Sequence, residues 1–201
     1  LQAFVGWIMV ASGLKPGMTA VEPVRLMLHL TLASLIYALL ITTATALKPR
    51  ADSVKPVHAK MARVLLILSL VQIALGALVA GNHAGLIYNT WPMMDGHFLP
   101  EVVFSDWQNK GAEAFFDGIA FVQFNHRVGA YILLAVALLH AAQVSKDHPG
   151  TSARKRALIN IWLMVAQAVI GIATLVMVVP MHLALTHQAF ACLLYTSPSP
   201  R

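Results

Sequence analysis

The stretch "FVQFNHRVGAYILLAVALLHAAQV", residues 121–144, decides the fold. Its apolar run is long enough, at about 1.5 Å per helical residue, to cross a hydrocarbon core of about 30 Å. Yet Asn125, His126 and Arg127 stand side by side near its start. Such groups are expensive in lipid and survive where they meet protein, water or a cofactor.

The rest of the chain shares this character. Hydrophobic residues make up 58% and charged residues 11% of the sequence, and the mean hydropathy is +0.71. Soluble domains carry about a quarter charged residues. Apolar runs recur at 1–14, 24–47, 61–80, 121–144, 157–179 and 181–195. They are continuous rather than alternating, so they read as helices. The expected fold class is all-α: a polytopic membrane helical bundle with six visible transmembrane segments. The first segment and the last, which at 15 residues falls short of a full span, read as truncated. The chain starts at Leu1 inside an apolar run, which implies a start further upstream. The tail "TSPSPR", 196–201, cannot continue a spanning helix and reads as non-native or disordered.

Cys192 is the single cysteine, which excludes an intramolecular disulfide and a cysteine-based metal cluster. The net charge of +6 does not point to nucleic acid, because the basic residues sit in short loops. Lys48, Arg50, Lys55, Lys60 and Arg63 oppose Asp52 in the loop 48–63, and Lys146, Arg154, Lys155 and Arg156 oppose Asp147 in 145–156. The long loop 81–120 has the reverse balance, with Asp95, Glu101, Asp106, Glu113 and Asp117 against Lys110. The positive-inside rule places the first two loops inside and the long one outside. Segments 24–47, 121–144 and 181–195 then all run inward.

In that orientation His29, His126 and His187 each fall within about two turns of the outer end of a helix. Taken singly, each reads as a packing or interfacial residue. His126 and His187 together read as a pair of axial ligands to a haem held between two helices. Arg25, one turn outward of His29, and Arg127, next to His126, suit haem propionates at the wet edge. Gly129 removes a side chain where a macrocycle would press. His182 reads as a rim residue. His58, His140 and His148 read as solvated or interfacial at the inner face. His83 and His97 lie in the outer loop, with a weaker claim on a substrate or haem edge. An internal repeat supports the pairing: "LQAFVG" (1–6) parallels "AQAVIG" (166–171), and each precedes a helix in which His29 aligns with His187.

At this point "VAGNHAGLIYNTWPMMDGHFLP" (79–100), "FVQFNHRVGAY" (121–131) and "VPMHLALTHQAFA" (179–191) resemble the haem A synthases, of the bacterial and mitochondrial, proteobacterial-like type. "LQAFVGWIMVASGL" and "VRLMLHLTLASLIYALL" resemble that family's third and fourth helices. The resemblance implies eight helices in two four-helix halves. Residues 1–47 would be the remnant of the N-terminal half, 48–60 an inner linker, and 61–195 the C-terminal half. It also implies a b-type haem held by His126 and His187, and His29 as a ligand to the iron of the substrate, haem O. The reaction would be oxidation of the C8 methyl of haem O to a formyl group, giving haem A for cytochrome oxidase. The glutamate expected to be catalytic lies on a helix absent from this chain, so no catalytic residue is assigned.

Tyr88, Asn89, Trp91 and Met93 in the outer loop read equally as a cover for the haem edge or as an interfacial aromatic belt. The expected surroundings are membrane lipid, haem O, an electron donor of unknown identity, and by family analogy a homo-oligomer or a complex with the farnesyltransferase that makes haem O. The expected location is the bacterial plasma (inner) membrane, with the mitochondrial inner membrane as the alternative. Two other functions compete. A b-type haem electron-transfer protein would lack substrate chemistry of its own. A transporter or channel would need polar residues at mid-membrane depth, where only Gln72, Gln143, Asn160, Gln167 and scattered Ser or Thr are present, mostly toward the ends.

Overall fold

The computed structural model describes residues 1–47 and 55–196, with side chains up to Cys192. Lys48, Arg50 and Asp52, most of the expected linker 48–60, and residues 197–201 of the expected tail lie outside the described residues.

Eight α-helices follow in order: α1 (Gln2–Gly13), α2 (Pro23–Ala46), α3 (Pro56–Gly81), α4 (Glu101–Lys110), α5 (Ala114–Asp117), α6 (Ile119–Asp147), α7 (Ser152–Val176) and α8 (Met181–Thr196). Proline starts α2 and α3, where the missing N–H costs nothing. Thr151 caps α7 by accepting from the backbone N–H of Arg154. Four helices, α2, α3, α6 and α7, are long and apolar enough to cross a membrane. The expected all-α membrane bundle is therefore borne out. The 81–120 loop is more structured than its sequence implied, since it contains α4, α5 and two 3-10 turns at 84–86 and 111–113.

The bundle is apolar on the outside. Leu40, Ile67, Leu139 and Trp162 are all at least 60% exposed, as lipid-facing side chains would be. Its interior is thin and rich in small residues. Leu65, Leu133, Ala137, Ile161 and Met164 join α3, α6 and α7. Leu78, Ala84 and Val122 close the outer end, with Val24 and Met27 of α2 against them. At Gly81 an added Cβ would lie 2.8 Å from Pro23 Cα, so glycine is what lets the outer ends of α2 and α3 meet.

α3 packs on α2 and α6, and α7 packs on α6 and α8. α6 and α8 make no extended contact with each other. The chain turns from α7 into α8 through Val178 and Val179, both left-handed at φ 60° and 55°. That conformation is costly for β-branched residues, so the surroundings must hold it. Asn89 helps to do so by donating to the carbonyl of Leu175 at the end of α7.

Candidate functional site

His29, His126 and His187 sit six or seven residues in from the outer ends of α2, α6 and α8, about 9–10 Å down each helix. Each imidazole meets the same pair of residues on the neighbouring helix. The side-chain amide of Gln72 on α3 donates to the main-chain carbonyl of His126 at 2.9 Å, and its nitrogen lies 3.0 Å from His126 Nδ1. Gln167 on α7 donates to the carbonyl of His187 at 2.9 Å and lies 3.5 Å from its Nε2. Gln2 on α1 donates to the carbonyl of His29 at 3.1 Å and lies 3.2 Å from its Nδ1.

A glycine follows each glutamine by four residues and faces the same ring. A Cβ on Gly6, Gly76 or Gly171 would stand 2.8, 3.1 or 2.7 Å from Cε1 of His29, His126 or His187. The histidine partners are thus Gln-x-x-x-Gly units: "QAFVG" (2–6), "QIALG" (72–76) and "QAVIG" (167–171). The internal repeat contains the first and third. Sequence reasoning missed the second, and with it the purpose of Gln72 and Gln167, which read there only as scattered polar residues. The i, i+4 spacing, repeated on three helices that each lead into a histidine helix, was the signal that could have found them.

Two expectations change at this level. Gly129 does not face open space for a macrocycle, because the Gln72 amide oxygen and Leu75 of α3 occupy the hollow left by its missing side chain. His58 and His140 are not solvated but buried, at 1% and 3% exposure. At the inner ends of α3 and α6, His58 Nε2 lies 2.9 Å from Asp147 Oδ2, and Lys55 Nζ lies 3.0 Å from the same oxygen. The His148 and His140 rings stand 5.3 and 6.2 Å from the His58 ring. His182 is exposed at the start of α8, as a rim residue would be, and His83 and His97 are exposed in the outer loop.

The arginines are engaged with protein. The guanidinium of Arg127 is buried and donates to the carbonyls of Tyr88, Pro92 and Met93 and to Gln123 Oε1. Its Nε is buried without a partner. Arg25 pairs with Glu22 and donates to the carbonyl of Ile8.

The Tyr-Asn-Thr-Trp-Pro segment, 88–92, acts as the knot of the outer loop. Tyr88 supplies a carbonyl to Arg127. Asn89 donates to the carbonyls of Gly85 and Leu175. Thr90 Oγ1 donates to the Met93 carbonyl and accepts from the Asp95 backbone N–H at 2.7 Å. Gln123 of α6 donates to the Ala84 and Ile87 carbonyls. Trp91 and Met93 remain nearly half exposed, while Met94 is buried. The loop is thereby tied across the outer ends of α3, α6 and α7, above His126.

These residues fit a haem. His126 Nε2 takes no protein hydrogen bond among the described residues. The donor set is imidazole, as bis-histidine ligation requires. The helices carrying His126 and His187 are not packed against each other, and the surfaces beside both rings are glycine. No group of three or more His, Cys, Asp or Glu side chains suited to a bare metal ion occurs among the described residues.

Comparison with known proteins converges on one family. The family model described as cytochrome oxidase assembly protein (COX15-CtaA) matches residues 1–198. A protein of Methylobacterium sp. (strain 4-46) named heme A synthase is 50% identical over 194 residues, 96% of this chain and 54% of that protein. Another of that name, from Methylorubrum extorquens, is 50% identical over 95% of this chain and 50% of its own length. A third, from Brucella ovis, is 45% identical over 95% of this chain and 53% of its own length. The chain spans about half the length of the curated relatives it matches. No solved structure matches it.

Proposed function

Because the chain belongs to the cytochrome oxidase assembly protein family COX15-CtaA, we propose that it is part of a haem A synthase, an oxidoreductase that converts the C8 methyl of haem O to the formyl group of haem A. His126 and His187 hold a haem b between α6 and α8, and His29 faces the substrate haem O. One observation carries this reading: three half-buried histidines at one depth, each beside a glycine and braced by an amide from the neighbouring helix.

His126 and His187 would hold the haem, which would supply electron transfer. The chain supplies the rest. His126 and His187 would bind through ring nitrogens, and Gly76 and Gly171 let the two imidazoles pack against α3 and α7. Arg127 anchors the outer loop over the site and keeps its Nε–H as a donor for a propionate. Arg25, held near the outer end of α2, serves the same purpose beside His29. Residues 1–47 and 61–195 belong to two similar halves, of which the second holds the haem b and the first handles the substrate. The chain sits in a bacterial plasma membrane, where it meets an electron donor and, as a homo-oligomer or in complex, the farnesyltransferase that makes haem O.

A reduced-minus-oxidised optical spectrum of the detergent-purified chain tests the core of this proposal. A b-type α band is expected in the parent chain and in neither His126→Ala nor His187→Ala. A folded chain that stays colourless when haem is supplied would overturn it.

A further inference from the structure

We propose that Gln2, Gln72 and Gln167 are positioning residues that set the orientation of His29, His126 and His187, and that Gln2 and Gln72 also set which ring nitrogen of His29 and His126 carries the proton. This rests on the haem reading for its purpose, but its geometry is independent of it. Each amide grips its histidine at two points. One N–H goes to the main-chain carbonyl, at 2.9–3.1 Å, and fixes the amide relative to the helix. The same nitrogen reaches a ring nitrogen, at 3.0 Å in His126, 3.2 Å in His29 and 3.5 Å in His187. The glycine four residues on brings the helices close enough for that reach.

The choice of an amide has chemical content. A neutral imidazole carries one proton, so the nitrogen that accepts from the amide forces the proton onto the other. In the arrangement at His126, Nδ1 accepts and Nε2 carries the proton. An imidazole that binds iron through Nε2 must carry its proton on Nδ1, and that N–H needs an acceptor. Gln72 and Gln2, which face Nδ1 of His126 and His29, hold one in reserve, whereas Gln167 faces Nε2 of His187 and leaves its Nδ1 without a partner. Gln2 Oε1, Gln72 Oε1 and Gln167 Oε1 are all buried and without a hydrogen-bond partner. A half-turn about the last side-chain torsion exchanges the amide nitrogen and oxygen. The exchange gives up the bond to the histidine's main-chain carbonyl, so glutamine serves the free imidazole as a two-point donor and the ligated one as an acceptor at the cost of one hydrogen bond. Leucine, of similar size, can do neither, and glutamate can only accept.

The test uses the full chain labelled with nitrogen-15 at histidine, in lipid bilayers, with Gln72→Leu and Gln72→Glu beside the parent and His126→Ala to assign the His126 signals. Without haem, the ring nitrogen shifts should place the proton on Nε2 in the parent, leave it mixed in Gln72→Leu, and move it to Nδ1 in Gln72→Glu. With haem, the midpoint potential should fall in Gln72→Glu, where a carboxylate draws on the Nδ1 proton, and rise in Gln72→Leu. Gln2→Leu repeats the haem-free test at His29, whose Nδ1 the Gln2 amide faces, if Gln72→Leu does not fold. Ring signals and potentials that match the parent in every folded variant would overturn the inference. A parent chain that binds no haem would overturn the haem reading alone, and the haem-free spectra would still decide this one.

Discussion

Two groups of histidines stand at opposite ends of the bundle, and their partners differ in kind. Toward the outer side, His126 and His187 meet the neutral amides of Gln72 and Gln167 and a glycine surface. At the inner end, His58 meets Asp147, which is also paired with Lys55, while the rings of His140 and His148 stand edge-on to it. The amide braces a ring without committing it to an ion pair, and the glycine lets the ring pack directly on the neighbouring helix. The carboxylate ties His58 into the junction of α3 and α6, with little exposed edge to offer anything else. Burial therefore does not separate a ligand from a structural histidine here. His58 is more buried than His126 or His187. The kind of partner, an amide and a glycine against a carboxylate, separates them.

Exchanging the roles should give the largest effect. His126→Ala and His187→Ala should each lose the b-type band, whereas His58→Ala and His140→Ala should keep it at parent intensity per folded chain. Loss of the band in His58→Ala with the fold intact would erase the distinction between the two groups. The inner variants should instead lose stability. His58 is 1% exposed, and its removal leaves a hole and a carboxylate short of a partner, a cost of about 2–3 kcal/mol. Thermal unfolding followed by circular dichroism should show His58→Ala melting well below the parent without haem. If the ring were only solvated there, as its sequence position implied, the melting temperature would not move.

The sequence made the helices and the depth of the outer histidines legible, because both follow from run length and loop charge. Leu40, Ile67 and Trp162 lie in those runs, but which side chains face outward came only from the packing. The inner cluster was misread for a related reason. His58 and His148 lie beside basic loops, where a histidine is ordinarily wet, and only the approach of α3 to the end of α6 buries His58. The glutamines were invisible because their partners lie between 20 and 54 residues away. An amide inside an apolar run carries no sign of which helix it will meet. Gly129 shows the same limit: its missing side chain announced a close neighbour, but only the packing of α3 on α6 identified it as Gln72.

The glycine surface predicts an intermediate effect with an internal ranking. A Cβ on Gly171 would stand 2.7 Å from the His187 ring, and one on Gly76 would stand 3.1 Å from the His126 ring. The first requires the ring or α8 to move, while the second asks for a few tenths of an ångström. Overpacking of this kind costs about 1–3 kcal/mol. Gly171→Ala should therefore lower haem occupancy several-fold and Gly76→Ala less, as read from haem absorbance per protein. Equal occupancy in both variants and the parent would mean that the rings swing clear of the glycines on binding, and the close packing of ring on glycine would have no part in holding the haem.

The smallest effect is expected at Asp147, where the comparison can be sharpened most finely. Its carboxylate joins Lys55, whose side chain is 57% exposed, to the buried ring of His58. An ion pair open to water contributes little and weakens as salt screens it. The bond to His58 differs, because it satisfies a buried ring nitrogen whose other nitrogen, Nδ1, has no partner. Asp147→Asn keeps a side-chain oxygen able to accept from His58 and removes the charge that holds Lys55. Asp147→Leu removes both. The asparagine variant should thus melt close to the parent and lose its small deficit in high salt. The leucine variant should melt clearly lower at every salt concentration, approaching His58→Ala. If the two variants melted alike, the inner end would be held by the surface charge rather than by the hydrogen bond to the buried histidine, and its contrast with the amide-braced outer site would rest on Lys55 instead of His58.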